Sequence, residues 1–156
     1  MIDQKARTGN PVRFTFAKPK VGDYDFSFSG LKTSILYFLQ KQMKQNSSFI
    51  EENEADLCAS IQHTIVEMLM EKLKLAASDH NIRHIAIAGG VSANSKLRKS
   101  LEIAAVDNQW QTYIPDFEYC TDNGAMIAIT GYFKFKKGEF AHIGTLATAR
   151  KHLSKA

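Results

Sequence analysis

Apolar positions recur with a helical period along most of this chain. From Leu31 onward, Leu31, Ile35, Leu36, Phe38 and Leu39 form one stripe and predict a helix, with Ser29 as its N-cap. The longest stripe is Leu57, Ile61, Ile65, Met68, Leu69 and Leu73. It predicts a helix over roughly 54–78, closed by Ala76 and stopped by the polar SDHN. Apolar residues also fall off this stripe, so that helix is expected to be covered on more than one side. The run RHIAIAGG, 83–90, is continuously apolar and predicts a buried parallel strand. A helix over about 93–106 follows, then a second short strand in WQTYIP. A last helix is expected to start near Asp122, within GAMIAITGYFKFKKG. FSF, 26–28, alternates like a short strand; NSSFIEEN reads as a polar break and DFEYCTDN as a loop.

The order helix, helix, strand, helix, strand, helix makes the chain a helix-rich α/β protein. Two strands of about five residues do not make a stable sheet alone. Either the sheet continues in the lead-in, or its other strands lie outside this chain. Residues 1–25, with Pro11 and Pro19, read as a loop-rich lead-in, the tail of something upstream. Residues 26–138 form the body, and 139–156 a basic tail expected to fray.

Composition adds little. With 156 residues, 44% apolar and 23% charged, the chain suits one globular domain with its own core. The net charge of +4 fits a solvated surface or an acidic partner such as RNA, and charge alone does not choose. Cys58 and Cys120 stand far apart, with no CxxC pair, which suits a reducing cytoplasm. MIDQKARTGN carries no apolar leader, and no window approaches the ~18 apolar residues of a membrane span.

Four stretches carry candidate chemistry. In IAIAGGVSANSKLR, Gly89 and Gly90 stand between a strand and a helix. They make a tight turn, or they let a phosphate or a flat adenosine ring touch bare backbone beside a helix N-terminus. The stretch is neither GxGxxG nor a P-loop. Asn94 caps the helix or holds a ribose hydroxyl. In CTDNGAM, Asp122 caps the next helix or aims a carboxylate at a cation, although one Asp cannot make a metal site. In SFSGLKT, Gly30 and Lys32 stand at a helix start, where lysine is electrostatically disfavoured, a small hint of a phosphate. HNIRH, with His80 and His84, mimics a metal pair but links a helix end to a strand, where i and i+4 do not converge. His63, inside the long helix, is expected in a core or an interface.

Taken together, DFSFSGLKT, IAGGVSAN followed by LR, and CTDNGAMIAITG resemble the C-terminal part of the TsaD family, once called glycoproteases or O-sialoglycoprotein endopeptidases. The resemblance runs from about residue 2 to 138, and three motifs in order make it specific. It implies part of a ribonuclease-H-like lobe of the actin, sugar-kinase and heat-shock ATPase superfold, with few short parallel strands. It also implies transfer of a threonylcarbamoyl group from an adenylate to a tRNA adenosine. By the same resemblance Gly89 and Gly90 lie on the adenosine side, Asn94 contacts the adenylate, and Asp122 is a ligand of a divalent metal, iron or zinc. The other ligands, two histidines of an HxxxH helix, belong to an N-terminal lobe that this chain lacks.

The resemblance further implies tRNA as partner, with a paralogous TsaB-like subunit and a small TsaE-like ATPase. Lys32, Lys96, Arg98 and Lys99 become candidates for the tRNA backbone. Gly124 stands where the family usually has alanine, a helix cost of about 1 kcal/mol. The chain is accordingly expected to be a fragment, inactive alone, with faces open to a homo-oligomer. Two other readings stay open. One is an ATP-dependent kinase of the same superfold. The other is a helical interaction module with vestigial motifs. The older peptidase label finds no complete HExxH here.

Overall fold

In the computed structural model, which describes residues 2–146, helix α4 (Glu54–Asp79) is the wall on which the first of two units is built. That unit spans 1–120, and the second begins at Thr121. Of the basic tail expected over 139–156, residues 147–156 lie outside the described residues.

Two cores press on α4. On one side, Val66, Met70 and Ala77 pack with Ile85, Leu97, Leu101 and Ala104. On the other, Leu57 and Met68 pack with Phe16 and Leu31, flanked by Ile61 and Ile65. The off-stripe apolar residues of α4 therefore have the second covering that the sequence called for.

The first core holds a βαβ unit. Strand β1 (His84–Ala86) leads through a short 3₁₀ turn (Gly90–Ala93) into α5 (Ser95–Asn108) and then β2 (Gln111–Tyr113). The strands are parallel, with Ile85 opposite Thr112. Helices α4 and α5 both end on a left-handed residue, Asn81 and Gln109. The following N–H groups, of Ile82 and Trp110, return to Ala77 and Ala105 carbonyls, and each chain turns at once into its strand. The expected buried strand is shorter than read, and only Ile85 in it is buried. Among the described residues the sheet has two strands; the lead-in adds none.

The second core holds α2 (Phe28–Met43) and α3 (Phe49–Glu52). Phe14, Phe16, Phe38 and Phe49 form one aromatic cluster, with centroids 5.4–6.0 Å apart. Two expectations are corrected. FSF is not a strand, because the Ser27 hydroxyl accepts from Gly30 N–H and starts α2 there, making Ser27 the cap in place of Ser29. The polar break NSSFIEEN contains α3, whose Phe49 and Ile50 pack on the core.

The lead-in is a strap laid along α4 from end to end. It opens with α1 (Ile2–Ala6), and Lys5 pairs with Glu54. The Asn10 N–H donates to Asp56 Oδ1 at 2.7 Å, and the Asn10 carbonyl accepts from Ser60 Oγ, which itself accepts from Phe14 N–H. Arg13 pairs with Asp56 at 3.0 Å. Lys18 reaches both Glu67 and Glu71, and its hydrogen bond to Glu71 holds its ammonium above the ordinary lysine range. Lys72 Nζ donates to the Gly22 carbonyl at 2.6 Å, and Tyr24 OH donates to Asp79 at 2.7 Å. These exposed pairs each contribute less than about 1 kcal/mol. Burial of Phe16 against α4 contributes more, roughly 2 kcal/mol.

In the second unit, α6 (Gly124–Lys136) is capped by Asn123, whose Oδ1 accepts from Met126 N–H at 3.1 Å. No residue of α6 is buried, and Ile127, Phe133 and Phe135 are all exposed. No helix among the described residues is long and apolar enough to cross a membrane.

Candidate functional site

The stretch 86–98 owes its shape to two short glycine-led steps. Gly89 has φ +79° and ψ 174°, a conformation essentially reserved for glycine. Its carbonyl accepts both the Ser92 N–H, at 2.9 Å, and the Ser92 hydroxyl, at 2.7 Å. Ser92 is fully buried, so this double acceptance locks the turn from beneath. On the outer side the glycines are bare: a Cβ added to either would meet no atom within 4 Å. The tight-turn and open-backbone readings are therefore compatible. Ser92 makes the turn, and the glycines leave its outer surface clear.

Asn94 resolves in the same way. Its Oδ1 accepts from Leu97 N–H at 2.9 Å and caps α5, and its Nδ2 donates to Gln62 Oε1 at 3.0 Å. The cap dictates which way the amide faces. An asparagine amide has two N–H donors and two acceptor positions. One of each remains, so capping and ligand contact do not exclude one another.

A cavity of about 270 Å³ opens beside the turn, lined by Asp3, Gln62, Val91, Asn94 and the apolar Ile61, Ile65, Leu69 and Leu97. Asp3 is a member that sequence reasoning missed, since it arrives from α1 across 92 residues. Its carboxylate accepts from Ser95 Oγ at 2.7 Å and from Ser95 N–H at 3.4 Å. The α5 N-terminus thus already holds a carboxylate. A phosphate placed there would meet a like charge, costing about 1–4 kcal/mol at close range. Between the two ligands considered for this turn, the arrangement favours the uncharged adenosine over a phosphate.

Arg98 also turns inward. Its Nε donates to the Ser92 carbonyl at 2.7 Å, and its Nη2 to the Pro115 carbonyl at 2.6 Å and to Cys120 Sγ at 3.1 Å. Its guanidinium carbon lies 4.1 Å from the Phe117 ring centroid. This corrects its candidacy as a contact for a nucleic-acid backbone. Of the other candidates, Lys32 and Lys99 are exposed and Lys96 is half-buried. Lys32 is the fifth residue of α2 rather than a first-turn residue. Gly30 has a packing reason instead: a Cβ there would lie 2.7 Å from Pro19 Cγ.

Asp122 is not the cap of α6, because Asn123 is; its carboxylate is exposed. It is a hard oxygen donor suited to a divalent ion. Among the described residues, however, no three His, Cys, Asp or Glu side chains come together as a metal site. Asp122 is thus a single donor without a completed set among the described residues. His80 ends α4 beside Tyr24 and His84 faces Tyr113, so the two form no pair. His63 is half-buried, with Nε2 3.4 Å from Glu67, and belongs to neither core.

Cys120 is fully buried, and burial pushes the Cys58 thiol above its ordinary range. Both thiols are expected to resist an aromatic disulfide reagent in the folded chain at pH 7.5 and to react at once in denaturant. Rapid labelling of Cys120 under native conditions would contradict its burial against Arg98.

A family model described as TsaD, tRNA N6-adenosine threonylcarbamoyltransferase, matches residues 1–129. The chain is 55% identical over 154 residues to a tRNA N6-adenosine threonylcarbamoyltransferase of Riemerella anatipestifer, covering 99% of this chain and 45% of that protein. It is 49% identical to the one from Porphyromonas gingivalis, covering 96% and 44%, and 45% identical to the one from Fervidobacterium nodosum, covering 88% and 41%. The chain spans less than half the length of these curated relatives.

Proposed function

Because this chain belongs to the TsaD family of tRNA N6-adenosine threonylcarbamoyltransferases, we propose that it supplies the adenosine side of a threonylcarbamoyl-transfer site. The observation that carries this reading is the bare glycine pair directly before Val91, which lines a cavity together with Asn94, Gln62 and Asp3. A purine would lie flat against Gly89 and Gly90 and reach past Val91 toward the cavity, whose wall is largely apolar. The spare Nδ2 hydrogen and Oδ1 lone pair of Asn94 would hold its polar edge or the sugar.

In the proposed reaction, the exocyclic amine of a tRNA adenosine forms a bond to the carbonyl carbon of a threonylcarbamoyl adenylate. The carbonyl–phosphate bond breaks, the adenylate leaves as AMP, and the amine loses one proton. Holding the adenosine half of the donor fixes the carbonyl carbon for attack by the amine from one face of its plane, and this positioning is what residues 85–98 would contribute. Asp122 would be the single oxygen ligand that this part of the protein offers to a divalent metal, iron or zinc. Histidines outside this chain would complete the set. The lobe would belong to the ribonuclease-H-like superfold of actin, sugar kinases and heat-shock ATPases. The protein would work in the cytoplasm on tRNA, with a TsaB-like paralogue and a TsaE-like ATPase.

Titration calorimetry of the 156-residue chain with AMP tests the reading. Weak but saturable binding is expected, weakened about tenfold in Asn94→Ala, the size of one good hydrogen bond. The chain alone is expected to transfer nothing to tRNA. No heat with AMP, or equal affinity in the variant, would remove the proposal's basis.

A further inference from the structure

We propose that Arg98 is a positioning residue that holds the glycine turn in its ligand-ready shape, acting through Ser92; the inference rests on the adenosine-side reading above. The chain of contacts is short and closed. Arg98 Nε holds the Ser92 carbonyl, and the Ser92 hydroxyl and N–H hold the Gly89 carbonyl. At its other end the same guanidinium is fixed by the Pro115 carbonyl, Cys120 Sγ and the Phe117 ring. Arg98 therefore ties the turn at 89–92 to the segment 115–120, two stretches that β1 and β2 bring side by side but do not bond beyond Tyr113.

Three features argue that this is more than packing. Arg98 stands four residues after Asn94, near the start of α5, where a positive charge opposes the helix dipole. That cost is offset by donating to backbone carbonyls, whose partial negative charge suits a guanidinium. The fork is also specific. Three hydrogen bonds in different directions from one planar group cannot be reproduced by an ammonium. Finally, neither Gly89 nor Gly90 has a side chain, so the turn depends on its Ser92 bonds, and Arg98 holds Ser92 from the other side. A two-glycine turn without the clamp samples many backbone conformations, of which the ligand-ready one is a fraction, and affinity falls with that fraction.

The test compares the full 156-residue chain with Arg98→Lys and Arg98→Met. Lysine keeps the charge and the stem but loses the fork, and methionine keeps only the stem. Two readouts are taken. The first needs no ligand: amide hydrogen exchange at Ser92 and Asn94, whose N–H groups donate to the Gly89 and Val91 carbonyls within the turn. The second is AMP affinity by calorimetry. In both variants exchange at these two amides is expected to rise about tenfold or more, while the α4 amides stay protected. AMP affinity is expected to fall by about the same factor, with lysine no better than methionine. Methylguanidinium added to Arg98→Met should restore part of the affinity. Unchanged exchange in the turn, or full recovery by lysine, would overturn the proposal. If the wild-type chain binds no AMP while the variants still loosen the turn, the adenosine-side reading fails and the clamp stands.

Discussion

Gly90→Ala is expected to lose most AMP affinity without loss of stability, whereas Gly89→Ala should lose both. The two glycines are adjacent and equally bare, yet their backbones differ. Gly89 has φ +79°, so an alanine there is strained by about 1–3 kcal/mol, and the locked turn shifts with it. Gly90 begins the 3₁₀ turn at a φ open to any residue, and an added methyl meets nothing. Alanine at 90 should stabilise the chain by about 0.4–1 kcal/mol by restricting the unfolded state. The same methyl would stand on the surface where a purine is proposed to lie, lifting the ring out of contact. An affinity loss of at least about tenfold is expected, equivalent to ~1.4 kcal/mol. Thermal unfolding and calorimetry on the two variants separate these effects. Normal AMP binding by Gly90→Ala would show that the bare surface is not the ligand's seat.

Gly9→Ala is expected to be the most destabilising single methyl in the first unit. A Cβ at Gly9 would sit 2.0 Å from the Ala55 carbonyl oxygen and 2.8 Å from the Asp56 nitrogen. Both belong to the backbone of α4, which cannot yield without breaking its own helix. The strap must lift instead, taking with it the Asn10 bonds to Asp56 and Ser60 and the Arg13–Asp56 pair. A loss of about 3 kcal/mol, the upper range for overpacking, should appear as a lower urea midpoint with an unchanged slope. Gly131→Ala on α6, where a Cβ meets nothing, is the control and should be neutral or stabilising.

The helix framework was legible because its signals are local and repeated. Over 26 residues, α4 shows its period many times, and its ends were read to within a residue. FSF failed for the opposite reason. Three residues cannot distinguish alternation from a cap, and the Ser27 side chain decided it. The parallel pairing of β1 and β2 followed from their separation by one helix. What stayed hidden was everything carried by long separations. Neither Asp3 at the α5 N-terminus nor Gln62 against Asn94 leaves a pattern in the chain. Arg98 sat in a quoted motif, but a basic residue gives no sign of whether it faces solvent or carbonyls. The glycines at 9 and 30 drew different attention, and each proved to mark a close approach to another segment.

The strap has a temporal consequence. Each of its polar partners on α4 lies about 50 residues further along the chain: Glu54 for Lys5, Ser60 for Phe14, Asp79 for Tyr24. During synthesis the strap therefore leaves the ribosome before the surface it will cover exists. At 5–20 residues per second, Phe14 and Phe16 wait on the order of 3–10 s with no partner from α4. In that interval they are sticky, and the aromatic-poor, charged run at 18–23 between them and the next aromatics helps keep the nascent segment in solution.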